Sequence, residues 1–346
     1  MKITLLAALL GSAALAQPAA AAPADTQGPV RSERWRHEES GISLPRSIGD
    51  MNLAREQDAS GGGGHDVVLS YAGEHTPVTV YVYRSSYPNA AIWFERTRLA
   101  MNMLVGAGGE AANPRTFTLG GASAPNGLRE EIALPGGRAT GVAIAQAGEW
   151  LVKVRMTSDR LDRAGLAERM DRIVGAIQFA RPIPAPHPLA VPSPCGGDGA
   201  AMRGRRIGNV DSRTLAAASA YGLVAFGEAR GMSGLAAEPT AWCRVSGMAV
   251  PPQYGSLYRR RDGKGWVALL GDAGRAATAG PIEAAGDARA ALYVSTPAST
   301  QVVAVYDGMP GMAEGIAAAI PVVLGRARGI AEIGTERSAG PAPDKD

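Results

Sequence analysis

The chain has 346 residues, 46 % of them hydrophobic and 19 % charged, with a formal net charge of +3. This composition excludes a disordered, highly charged polymer, and the length suits two hydrophobic cores rather than one. Positive charge is almost entirely arginine, with lysine only at 2, 153, 264 and 345, and so small a net charge argues against a nucleic-acid partner.

Residues 1–24, MKITLLAALLGSAALAQPAAAAPA, read as a cleaved signal peptide: Lys2, an apolar run from Ile3 to Ala16, then small residues suited to a signal peptidase. Ala14 and Ala16 satisfy the A-x-A pattern, and Ala24 marks a second possible cut. A helix of about 14 residues rises about 21 Å, short of a hydrocarbon core of about 30 Å, so no membrane span is expected. No cysteine follows the run, so no lipid anchor is expected either. The product is then a soluble periplasmic or secreted protein, its formal charge lowered from +3 to +2 by loss of Lys2.

From about residue 30 to 180 the pattern is strands, a helix, more strands and a second helix. HDVVLSYAG and TPVTVYVYR form a hairpin, with Val78, Val80 and Val82 on one face and Thr79, Tyr81 and Tyr83 on the other. Both faces are fairly apolar, which places this strand inside a sheet. AAIWFERTRLAMNMLVGAGG predicts an amphipathic helix, with Ile92, Leu99 and Met103 on one stripe beside Trp93, Ala100 and Leu104. Strands are expected at RTFTL, GLREEIAL and TGVAIAQ. EWLVKVRMTS alternates, with Trp150, Val152, Val154 and Met156 facing one way and Lys153 and Arg155 the other. A helix follows, capped by Ser158 or Asp159 and burying Leu166, Met170, Ile173 and Ile177.

Strands and helices without βαβ alternation predict an α+β domain, an antiparallel sheet packed against helices. This order, closed by the WLVKVR strand and a helix ending IVGAIQF, resembles the PsbP, Mog1 and DcrB type of exported bacterial α/β/α sandwich over residues 35–180. The resemblance implies an accessory role rather than a reaction, and offers no catalytic residue to carry over.

RPIPAPHPLAVPSPCGG places six prolines between 182 and 194. Proline fixes φ and removes a donor, so residues 181–194 are expected to be a stiff linker that pairs with neither neighbour. A second α+β domain spans 195–333, with a helix from near Asp211, a hairpin turning at DGKG, a second hairpin in RAALYVSTPASTQVVAVYD, and the helix MAEGIAAAIPVVLG. Hairpin then helix closes both halves, raising the possibility of a worn duplication. Residues 334–346 read as a disordered tail. Export makes a bridge the expected state of the only two cysteines, Cys195 and Cys243. Closing about 49 residues stabilises by roughly 4 kcal/mol in the chain-entropy treatment.

The search for chemistry returns little. His65 and His75 stand at opposite ends of one strand, roughly 30 Å apart, and cannot share a metal. His187 lies in the linker, and His37 with Glu38 and Glu39 reads as a solvated cluster. GMSGL at 231–235 lacks the final glycine of a nucleophile elbow. Glu130 and Glu131 are adjacent on a strand and point apart. Gly61–Gly64 lacks the Lys and Ser or Thr of a phosphate loop, and GAGGEA leaves a helix instead of entering one. No metal or cofactor is expected. Arg203, Arg205 and Arg206, with Arg259, Arg260 and Arg261, are candidates for contact with anionic envelope components. The chain therefore reads as a non-catalytic accessory or binding module of the cell envelope, with envelope proteins or anionic envelope components as partners. An exported hydrolase with its site at the domain junction is the alternative.

Overall fold

The computed structural model describes residues 33–105, 109–111, 113–183, 189–196, 202–230, 241–245, 255–271, 274–284 and 287–334. The expected signal peptide, the GMSGL segment, His187 and nearly all of the expected tail lie outside them.

Before the proline stretch come β1 (Arg34–Arg36), β2 (Ile42–Pro45), β3 (Ser47–Ile48), β4 (Met51–Asp58), β5 (Asp66–Ala72), β6 (Val78–Arg84), α1 (Ala90–Val105), β7 (Glu110–Ala111), β8 (Arg115–Phe117), β9 (Gly127–Leu134), β10 (Arg138–Ala147), β11 (Trp150–Ser158), α2 (Arg163–Ala176) and β12 (Gln178–Phe179). After it come α3 (Ser212–Arg230), β13 (Trp242–Arg244), β14 (Gly255–Arg260), β15 (Trp266–Leu270), β16 (Arg275–Ala284), β17 (Asp287–Ser295), β18 (Ser299–Tyr306), α4 (Met312–Val323) and β19 (Ala331–Gly334). They build a nine-stranded sheet, β3-β4-β5-β6-β11-β10-β9-β7 with β8 also on β9, a small sheet β1-β2-β12, and a seven-stranded meander from β13 to β19.

The β5–β6 hairpin forms as expected, and β6 is internal because β11 pairs along its other edge, Val80 opposite Val154 and Val82 opposite Val152. Those valines, with Trp150 and Met156, are buried under Leu166, Met170 and Ile173 of α2. The cap lies later than expected. Ser158 is still paired with Ala139 in the ladder, and its hydroxyl accepts from the N–H of Arg160 and Leu161, holding a turn; Asp162 caps α2 by accepting from Gly165 N at 2.8 Å.

α1 departs further from expectation. Leu99 is 43 % exposed, whereas Ala90 to Phe94 are buried on every side. The cause is tertiary: the first turns of α1 lie between the nine-stranded sheet and the second half of the chain, so no single stripe defines their buried surface. One apolar cluster joins Tyr83, Ile92, Trp93, Phe94, Val142, Ile144 and Leu151 to Trp242, Tyr258, Val267 and Leu269. The described residues from Glu33 onward form one compact unit.

The end of the proline stretch also departs from expectation, for it does pair. Ser193 C=O accepts from Arg244 N–H at 2.9 Å and Cys195 N–H donates to Arg244 C=O at 2.8 Å. Pro194 has no donor to offer, and its two neighbours make the bonds. The Cys195–Cys243 disulfide fixes the same junction, with the two Cα atoms 4.8 Å apart.

In the second half the helix from Asp211, both hairpins and the closing helix are present. Asp211 accepts from Thr214 N at 2.8 Å, and Gly263, with φ +73°, completes the DGKG turn. β16 was not legible, its RAATAGPIEA being rich in small residues and interrupted by Pro281. Proline is tolerated there because β15 pairs β16 only as far as Ala279, leaving no ladder bond on that side to lose. The two large sheets are connected differently, a meander after the linker and a crossover through α1 before it, so a duplication finds no support in topology.

Candidate functional site

Among the described residues, bonded side chains occupy the junction where a catalytic cleft was the alternative. Glu95, on α1, accepts a hydrogen bond from the Tyr258 hydroxyl and pairs with the Arg244 guanidinium. Burial, and then the neighbouring Glu95 charge, hold the Tyr258 hydroxyl well above its usual range. Beside it the Trp93 indole N–H donates to Tyr87 C=O at 2.8 Å, and the Tyr87 hydroxyl meets Thr278 of β16 at 2.9 Å. Burial pushes Tyr87 up to about 12. Ser86 N–H donates to Gly274 C=O at 3.0 Å. Lys153 was assigned to a polar face, yet it is fully buried, its Nζ 4.2 Å from the centre of the Tyr81 ring. Burial raises the Asp66 carboxyl despite the nearby Arg275 and Lys153.

His37 is likewise buried, correcting the expected solvated cluster. Its ring stacks on Trp35 and meets Trp150 edge-on at 4.7 Å. Ser40 N–H donates to Nδ1 at 3.2 Å, so the Nε2–H donates to Gly64 C=O at 2.7 Å. The glycine run is ordered from within: the Asp58 carboxylate accepts from the N–H groups of Ser60, Gly62 and Gly64. Burial opposes the Asp58 charge, but those bonds and the Ser60 hydroxyl outweigh it and lower its pKa. These N–H groups hold the protein's own anion. His65 lies 3.3 Å from Glu39 and His75 lies 3.6 Å from Asp159, and among the described residues no three potential metal ligands gather.

Glu130 and Glu131 do point to opposite faces, both nearly fully buried. Glu130 is paired with Arg98 of α1 at 2.8 Å, while Glu131 meets Arg129 at 2.9 Å and Arg115 at 2.7 Å. Burial raises the Glu130 carboxyl, against the pull of Arg98.

The two arginine triplets lie at opposite sides of the seven-stranded sheet. Arg206 bridges Tyr306 on β18, whereas Arg259 and Arg260 lie on β14, four strand spacings away from it, or about 19 Å between strand axes. Within the triplets, Arg203 is exposed, Arg205 pairs with Asp307 at 3.3 Å, Arg259 is buried, Arg260 pairs with Asp262 at 2.9 Å, and Arg261 donates to Ser193 at 2.6 Å. The structure does not bring the six together.

Two open clefts are lined by described residues. One, of about 420 Å³, lies on the outer face of the small sheet, where Arg36, Ser43 and Gln178 form a cross-strand row beside Arg34. Arg34 donates there to the carbonyls of Ser43 and Ala176 at 3.1 and 3.0 Å. The other, of about 350 Å³, lies where α1 leaves the nine-stranded sheet, lined by Met101, Leu134, Pro135, Arg138, Thr140, Arg155 and Thr157. Alternation puts Leu134, Arg138, Thr140, Arg155 and Thr157 on one face of β9, β10 and β11. Sequence reading singled out none of these as a site, because three strands and a helix contribute them.

No protein-family model matches this sequence, and no curated protein sequence matches it. Solved structures do match, weakly. Cyanobacterial PsbP (CyanoP) from Synechocystis sp. PCC 6803 is 13 % identical, over 45 % of this chain and 98 % of its own, with a TM-score of 0.31. A mutant of Mog1 is 8 % identical, over 42 % of this chain and 94 % of its own, with a TM-score of 0.30. The Saccharomyces cerevisiae Ran-binding protein Mog1p is 9 % identical, over the same 42 % and 94 % shares, with a TM-score of 0.28. The chain thus bears a weak PsbP- and Mog1-like resemblance, of the kind its order of elements carries.

Proposed function

We propose that this chain is an exported protein of the cell envelope, two joined α+β halves acting as a non-catalytic accessory or binding module. Its partners are envelope proteins or anionic envelope components. The observation that carries this reading is the filled junction: Glu95, Arg244 and Tyr258 bond to one another inside a shared apolar cluster, where the hydrolase alternative needs a cleft. Groups locked in this way hold a rigid body together and leave recognition to outer surfaces. Export is supported by the leader-like first residues and by the Cys195–Cys243 bridge, which an oxidising compartment maintains. No helix among the described residues is long and apolar enough to cross a membrane.

The test offers the purified protein esterase, peptidase and glycosidase substrates. The expected result is no turnover above the blank, and turnover abolished by one side-chain change would replace this reading with the hydrolase.

A further inference from the structure

We propose that the cleft between Met101 and the ends of β9, β10 and β11 binds a small aliphatic carboxylate, with Arg155 as its anion anchor. Arg155 is half-buried, and no hydrogen bond or ion pair from another described residue reaches its guanidinium. Two neighbouring charged residues on this side do have partners, Glu130 with Arg98 and Lys153 over Tyr81. A partly desolvated cation without a counter-ion is unfavourable, and an incoming anion relieves that cost. Among the described residues the lining carries a second cation, Arg138, and no carboxylate. Arg138 is exposed and donates from Nε to Pro135 C=O at 3.0 Å.

A planar fork of N–H donors matches a carboxylate in two parallel bonds, a fit a lysine would not give. Hydroxyls stand alongside. The Thr140 and Thr157 oxygens are 2.8 Å apart, and Thr140 reaches Met156 C=O at 3.2 Å. When Thr140 donates to Thr157, the Thr157 proton is released toward the cleft as a further donor. Beside these polar groups, Met101 of α1, Leu134 and Pro135 add apolar lining, and methionine adapts readily to varied aliphatic shapes. At about 350 Å³ the space lies at the small end of ligand sites, which favours a short chain over a long lipid.

This inference rests on reading the chain as a binding module, and its test is independent of the turnover screen. The purified protein is titrated calorimetrically with octanoate, octanamide and acetate. Octanoate is expected to saturate one site, with octanamide and acetate each about tenfold weaker or more, because one lacks the charge and the other the aliphatic body. Arg155→Gln is expected to weaken octanoate about tenfold or more, Arg155→Lys less, Arg138→Gln less again, and Arg36→Gln in the other cleft not at all. Circular dichroism checks the folding of each variant, and Arg155→Lys carries the comparison if Arg155→Gln does not fold. No saturable octanoate binding, equal binding of octanamide, or a loss with Arg36→Gln matching that at Arg155 overturns the site. A missing octanoate site with no turnover sinks this inference alone, whereas turnover sinks the module reading alone.

Discussion

The two faces of the nine-stranded sheet are buried by different means. On the α2 side, Val80, Val152, Val154 and Met156 lie under Leu166, Met170 and Ile173, and the helix keeps an ordinary wet back. On the α1 side the covering helix is itself covered by the second half of the chain, and the buried charges there are Glu95, Glu130 and Lys153. Under the single helix the buried charges Arg129 and Glu131 end on partners at the surface, Asp171 and Arg115. A face closed by two layers favours internal matching, as among Glu95, Arg244 and Tyr258.

Breaking that second face gives the largest effect. Trp93→Ala removes a side chain that is 1 % exposed and also lends an N–H to Tyr87, and about 3–5 kcal/mol of destabilisation is expected. Denaturant unfolding of the variant should remain a single transition, since both halves lose the same contact. Two separated transitions would show that the halves fold independently. Glu95→Ala comes next, at about 1.5–3 kcal/mol in the same measurement, because it leaves the Tyr258 hydroxyl and the Arg244 guanidinium without their shared acceptor. A value near zero would mean that the apolar cluster alone joins the halves.

The smallest effect is a pH slope. Burial raises the Glu130 carboxyl, so the folded chain keeps that proton to higher pH than the unfolded one. Its contribution favours folding at low pH and declines as pH rises through the ordinary glutamate range to the raised folded value. Glu130→Gln removes that decline, so the stability of the variant relative to the native protein should grow from about pH 3 to about pH 7 in thermal melts. A difference that shrinks over this range would assign Glu130 to the opposite sign, dominated by Arg98.

Much of the local structure was legible. The hairpins, the strand from Trp150, the cores of α2 and α4, and the Cys195–Cys243 pairing follow from alternation, helical spacing and an even count of cysteines. The failures share a cause. Leu99 sits on a stripe that spacing marks as apolar, His37 stands beside two glutamates, and Lys153 alternates with valines; each reading assumed that one covering layer decides burial. The α1-side cleft had no signal at all, since Arg138 and Arg155 are ordinary outward residues until the strand register brings them together.

By itself the sequence determined the repeating contacts, because period and turn chemistry act between residues a few positions apart. It also carried the leader pattern and the sulfur bridge. Only the tertiary structure decided that α1 would be buried from two sides, that the linker's end would pair with Arg244, and that Glu95 would meet Tyr258. Those contacts join segments far apart in the chain, and their free energy depends on a layer order that no local pattern encodes.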